Sequence, residues 1–231
     1  MMRCPVGKDD CLILEEFINL KNECLRLRSL SETDGLTGLY NYNYLIKTLD
    51  IEMERTLRTG LPTALIMIDL DHFKKINDVY GHEAGNAALR AAAGIWRKNV
   101  RRMDVVCRYG GEEFTIVLPG TRLNLAVKSA QRLRQALAVS PVDVNGSIIS
   151  LTASFGVEVF GHANEFSSPE AFIKSADEML LAAKREGRDR VCFREMRKVM
   201  NETALGVDEK KALMRCNKHD NGRLDQSPDG V

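Results

Sequence analysis

The chain has 231 residues, 44% hydrophobic and 28% charged, which supplies one packed core with appendages and excludes a disordered polymer. Its 33 basic and 32 acidic residues leave a net charge of +1, so no global positive field favours DNA or an anionic membrane, and any anion site must be local. The longest apolar run, residues 63–68, is far too short to span a bilayer, and the first residues lead into charge rather than an apolar leader, so a cytoplasmic protein with no membrane segment is expected.

Residues 10–31 read as one helix. Ile13, Phe17, Leu20, Cys24 and Leu27 recur at alternating spacings of four and three, the seam of a heptad pattern, between charged flanks. Such a seam suits either a second copy of the chain, making a homodimer through this helix, or the domain that follows. Next come a helix over 41–58 and a strand over 63–69. Helical segments follow over 73–80 and 83–100, then a hairpin over 104–118 and a helix over 122–139. A strand pair is expected over 142–145 and 148–160, then a helix over 169–186 and a short strand over 190–193. The polar, turn-rich tail from 195 is expected to be disordered, apart from a short helix over 208–216. The division is therefore 1–33 as an N-terminal segment with the linker helix, 34–194 as the folded domain and 195–231 as the tail. Helices on a mixed sheet with a hairpin at its middle suit an α/β (α+β) fold, a ferredoxin-like or palm-like sandwich. Cys4, Cys11, Cys24, Cys107, Cys192 and Cys216 include no Cys-x-x-Cys pair and no zinc spacing, so reduced thiols are expected.

Two places carry chemistry. Arg108-Tyr109-Gly110-Gly111-Glu112-Glu113-Phe114 sets two glycines and two carboxylates between the β-rich runs 105–107 and 115–118. Glycine tolerates positive φ and lets another molecule come close to the backbone; carboxylates there suit a hard cation or acid–base work. Asp69-Leu70-Asp71 closes the apolar run 63–68, so a buried strand delivers carboxylates to the edge of a sheet. Lys74 and Lys75 follow at a helix start. Acidic strand end, basic helix start and acidic hairpin tip together suit a metal–triphosphate site.

At these residues the sequence resembles the GGDEF domains of bacterial diguanylate cyclases. The likeness runs through Asp34-Gly35-Leu36-Thr37-Gly38-Leu39-Tyr40-Asn41, residues 69–78, Gly81-His82-Glu83-Ala84-Gly85, residues 108–114 and Lys184-Arg185-Glu186-Gly187-Arg188, in the family's order. It implies condensation of two GTP into cyclic di-GMP and two pyrophosphate. The resemblance assigns Asp69, Glu112, Glu113 and the Leu70 carbonyl to two Mg²⁺ (or Mn²⁺) ions per site. Asp69, Glu112 and Glu113 are the catalytic set, and Glu112 is the candidate base for the 3′-hydroxyl. It assigns the substrate's phosphates to the amides at His72 and Phe73 and to Lys74, Lys184 and Arg188, with His82 also among the substrate contacts. The guanine falls to Asn77 and to the residue after Gly85. Arg101, Asp104 and Arg132 match its inhibitory site for the product. In isolation, Lys184, Arg188 and Gly187 would also suit an ordinary helix C-terminus, and Asp69 a helix N-cap.

Two positions depart from the family. Asn86 stands where an aspartate is usual, and an amide offers one acceptor oxygen where a carboxylate accepts from both guanine donors. Either Asn86 still accepts from the guanine N1–H, or base selectivity is relaxed and cyclic GMP-AMP is also made. Tyr42 stands where arginine is usual, which leaves Asp34 without its expected charge partner. Two other function classes stay open on the residues alone: a module that binds cyclic di-GMP or nucleotide without turnover, and a dimerising adaptor built on residues 10–31.

Overall fold

Described as a computed structural model, the protein is seen at residues 16–23, 27, 32–144, 147–161 and 166–194. By compactness the chain divides into two units, Met1–Arg194 and Glu195–Val231. The expected tail, its short helix and the seam residues Ile13 and Cys24 lie outside the described residues. Residues 16–23 are helical, and Phe17 and Leu20 are exposed on them at 53% and 64%.

The elements are α1 (Tyr42–Thr59), β1 (Thr63–Leu70), α2 (Phe73–Tyr80), α3 (His82–Lys98), β2 (Val105–Gly110), β3 (Glu113–Leu118), α4 (Leu123–Ala138), β4 (Val142–Val144), β5 (Ser147–Ile149), β6 (Ala153–Phe160), α5 (Pro169–Arg185) and β7 (Val191–Phe193). Local chemistry marks their ends. Asn41 caps α1 by accepting the Tyr44 N–H, and Gly60 closes it in the left-handed region. Ser168 caps α5 ahead of Pro169.

A five-stranded sheet runs in the order β2-β3-β1-β6-β7, antiparallel except for the β6–β7 pair. The expected sandwich is therefore present, but the β2–β3 hairpin lies at one edge of the sheet and β1, not the hairpin, is its middle. Residues of β1 alternate between two cores. Ala64, Ile66, Ile68 and Leu70 pack with α3 and α4, around Trp96 and its edge-on contacts with Phe114 and Phe155. Leu65 and Met67 pack on the other face with Leu45, Leu49, Phe172, Ala176 and Leu180 of α1 and α5. That alternation puts Asp69 and Glu113 on the α1–α5 face.

One expected strand is two. Residues 148–160 break at 150–152: β5 pairs with β4 in a separate two-stranded ribbon, and β6 joins the main sheet. The break serves the strand end of β1. The Thr152 carbonyl turns to accept the Asp71 N–H at 2.9 Å, and Leu151 is buried in the core.

Candidate active site

Asp69 is the penultimate residue of β1, the central strand, and its Cα faces Glu113 on β3 and Ser154 on β6. It caps no helix. The residue before α2 is His72, in the left-handed region at φ 56°, and His72 makes no side-chain cap. Lys184 reaches from the last turn of α5 and places Nζ 2.8 Å from Asp69 Oδ2. Burial raises the Asp69 pKa above the ordinary carboxylate value; Lys184 opposes this, Asp71 adds to it and Arg188 lowers it. Glu113 is raised too, by burial first and then by the Asp69 charge; Lys184 offsets this, while Asp177 and Glu112 add repulsion. Asp69, Glu113 and Lys184 therefore feel one another; Arg188 acts on Asp69, and Asp177 of α5 on Glu113.

The hairpin tip explains the placement of Glu112 and Glu113. The register shifts between Arg108 and Gly110, a bulge that sets Tyr109 apart from the ladder, and the turn falls on Gly111 and Glu112. Gly111 takes φ 50°, which a side chain would resist. Arg108 folds back under the tip. Its Nε and Nη2 donate to the Gly111 carbonyl at 3.0 and 2.8 Å, while Nη1 reaches both oxygens of Asp34 at 3.1 and 3.0 Å.

This corrects the expectation for Asp34. Its charge partner is not missing: Arg108 supplies it from the hairpin. Burial raises the Asp34 pKa, but hydrogen bonds from the Thr37 hydroxyl and amide and from Arg108 outweigh that and hold it below the usual value. Tyr42 lies edge-on to Tyr109, ring centroids 5.3 Å apart. The two tyrosines, Glu113, Lys174 and Asp177 line a cleft of about 290 Å³.

On the other face, Asn77 lies on α2 and Asn86 on α3, next to Gly85, the residue against which the Asn77 side chain packs. A side chain at Gly85 would push the Asn77 amide aside and crowd the Phe73 ring. Phe73 is buried, whereas His72, Lys74 and His82 are exposed. The first-turn amides of α2, at Phe73 and Lys74, lie at a helix N-terminus that suits phosphate. Arg188 follows α5 at φ 62°.

Asp71, the second carboxylate of the strand-end motif, holds the fold around the strand end. It is buried, and it accepts from Thr152 Oγ1 at 3.0 Å, Ser154 Oγ at 2.7 Å and the Asp189 N–H at 3.0 Å. Alternation along β1 gave no sign of this, since it puts Asp71, two residues past Asp69, on the same face; the strand's ending at Leu70 is what frees Asp71 to turn elsewhere. Asp177 was missed for a similar reason: only packing turns its helix face toward Glu113.

A second cluster lies at the far end of β2, roughly 20 Å from the tip for a six-residue strand. Asp104 Oδ2 accepts the Arg101 N–H at 2.9 Å, and the Asp104 N–H donates to the Arg101 carbonyl. Burial raises the Asp104 pKa, and the Arg101 and Arg132 charges oppose it, so all three residues stand together. Arg132 also donates to the Asn99 carbonyl at 3.0 Å. Arg97, Arg101, Arg102, Asp104 and Tyr40 line a cleft of about 510 Å³.

Among the described residues, no three His, Cys, Asp or Glu side chains form a ready-made metal cluster. The donor set nonetheless fits a hard divalent cation. It is all oxygen, its carboxylates repel one another, and a cationic ammonium already lies on Asp69. Cys107 is buried and its thiol pushed up to about 12, so it takes no part; Cys192 is partly exposed, and both are free. No helix among the described residues is long and apolar enough to cross a membrane.

Comparison with known proteins gives a consistent picture. The family described as "Diguanylate cyclase, GGDEF domain" matches residues 31–190. The response regulator PleD of Caulobacter vibrioides is 40% identical over 172 residues, 74% of this chain and 38% of PleD. The diguanylate cyclase DgcP of Pseudomonas aeruginosa is 43% identical over 164 residues, 71% of this chain and 24% of DgcP. The chain thus spans well under half the length of these relatives. The crystal structure of the coiled coil and GGDEF domain of DgcB from Caulobacter crescentus, in complex with c-di-GMP, superposes with a TM-score of 0.73 at 26% identity, covering 78% of this chain and 95% of that one.

Proposed function

We propose, from the premise that the chain belongs to the GGDEF-domain family of diguanylate cyclases, that it condenses two GTP into cyclic di-GMP and two pyrophosphate. The observation that carries this reading is the meeting of Asp69, Glu113 and Lys184 at one strand end, with mutual repulsion among the carboxylates and a lysine paired with Asp69.

Asp69, Glu112, Glu113 and the Leu70 carbonyl are the groups that would hold two divalent cations, Mg²⁺ or Mn²⁺, which when bound neutralise the triphosphate. The protein's own groups do the rest. Amides at His72 and Phe73, with Lys74, Lys184 and Arg188, take the phosphate oxygens. Asn77, Asn86 and His82 border the base. The 3′-oxygen of one nucleotide attacks the α-phosphorus of the other. The bond to pyrophosphate breaks, and the hydroxyl proton passes to Glu112. One domain offers one such site, so two copies must face each other, and the exposed Phe17 and Leu20 of the leading helix suit a homodimer. Arg101, Asp104 and Arg132 form a product site that inhibits. The DgcB structure, which holds c-di-GMP, supports a binding role for this fold.

Asn86 gives a second reading of specificity. Replacing a carboxylate acceptor by an amide lowers guanine affinity by about 1 kcal/mol, near tenfold. The test is purified protein with Mg²⁺ and equal GTP and ATP, its products resolved by mass. Cyclic di-GMP is the expected product. An accompanying cyclic GMP-AMP that disappears in Asn86→Asp would assign the relaxed selectivity to this residue. No product, together with tight cyclic di-GMP binding, would make the chain a receptor instead.

A further inference from the structure

The turn after α5 holds two non-glycine residues in succession in the left-handed region, Arg188 at φ 62° and Asp189 at φ 44°. Side chains resist that backbone unless their surroundings impose it. Three contacts impose it here. The Arg188 N–H donates to the Ala183 carbonyl at 3.0 Å, the long bond of a Schellman cap. The Asp189 N–H donates to Asp71 Oδ2 at 3.0 Å. From α4, Arg134 Nη1 donates to both the Asp189 carbonyl and its Oδ1, at 3.1 and 2.8 Å. Asp71 is itself fixed by Thr152 and Ser154.

Joining a helix to an edge strand does not need two strained residues. The strain sets where Arg188 leaves the chain, on the side where its charge acts on Asp69, the carboxylate that Lys184 also reaches. Asp71, at the end of β1, and Arg134, on α4, grip the residue next to Arg188 from two directions.

We propose that Asp71 and Arg134 are positioning residues that hold the Arg188 turn ready for the terminal phosphate of a nucleoside triphosphate. The proposal rests on the reading of Arg188 as a phosphate ligand. A turn released from this grip would hold the competent arrangement only part of the time, and apparent affinity falls by that fraction. The loss has a signature: only a ligand carrying the terminal phosphate feels it. A purely structural role would weaken triphosphate and diphosphate alike.

The test uses the full chain with Mg²⁺, titrated with a non-hydrolysable GTP analogue and, separately, with GDP. Arg134→Ala is expected to weaken the analogue about three- to fivefold, the scale of a partly exposed ion pair, and GDP by less than about twofold. KM for GTP rises in proportion while kcat holds. Arg134→Lys restores part of the loss, because lysine keeps the charge but not the reach and planar geometry with which Nη1 meets both Asp189 oxygens. Should Arg134→Ala not fold, Asp189→Asn tests the same grip, since asparagine tolerates the left-handed region and keeps the backbone bond to Asp71. Equal weakening of both ligands, or of neither, overturns the proposal. Arg188→Ala separates the two readings. If it loses the preference for the analogue over GDP while Arg134→Ala keeps it, the positioning role alone falls. If Arg188→Ala also keeps the preference, Arg188 does not meet the terminal phosphate, and both readings fall.

Discussion

Arg108 makes four charged hydrogen bonds to two places that are far apart in sequence, the Asp34 turn and the Gly111 carbonyl. Its loss frees the hairpin tip and leaves half-buried Asp34 with the Thr37 hydrogen bonds but no charge partner. Arg108→Ala is expected to destabilise by about 2 kcal/mol in urea unfolding and to lower kcat more than it raises KM. Arg108→Lys should recover little, because a point charge cannot serve both partners. Glu113 predicts an effect of opposite sign. Its folded pKa is raised, by burial and then by Asp69, so the folded state holds more protons than the unfolded one between the ordinary carboxylate value and the raised one. Stability is therefore lost as pH rises through that window. Glu113→Gln removes the loss. Its Tm should exceed that of the parent at neutral pH, and the gap should close in acid, while turnover is abolished. A gap that persists below the ordinary carboxylate range would refute the assignment.

At the scale of elements, β2 connects two sites. Asp104 precedes its first residue and Gly110, at the tip, is its last. Arg101→Ala should leave initial rates intact and raise the product concentration needed for half inhibition by about tenfold, since the product loses a charged hydrogen-bond donor; inhibition unchanged from the parent would remove Arg101 from that site. The α4 helix faces both ways, with Arg132 toward Asp104 and Arg134 toward Asp189. The division between β5 and β6 belongs here too. Residues 148–160 alternate well enough to read as one strand, yet only 153–160 pair in the main sheet. The Thr152 carbonyl and hydroxyl go to Asp71 instead, a demand that periodicity does not encode.

For the whole molecule, the proposed chemistry needs two copies. Each domain brings one set of carboxylates to one strand end, and the reaction joins two nucleotides. Specific activity should therefore rise with protein concentration before levelling off. Removing residues 1–31 should move that rise to higher concentration without changing the plateau rate. An activity per molecule independent of concentration over a hundredfold dilution, in a chain shown by light scattering to be monomeric, would exclude the dimeric mechanism.

The sequence alone determined the sandwich and the strand-end and hairpin positions of Asp69, Glu112 and Glu113. Both follow from local causes: β-branched runs of strand length, glycines at a turn and capping residues at helix starts. It did not determine who partners whom. Arg108 pairs with Asp34, Asp71 with Asp189 and Asp177 with the Glu113 field, across separations that no spacing rule spans. Those partnerships depend on which faces of α4, α5 and the hairpin come together. Burial of the two cores decides that, and only the tertiary structure contains it.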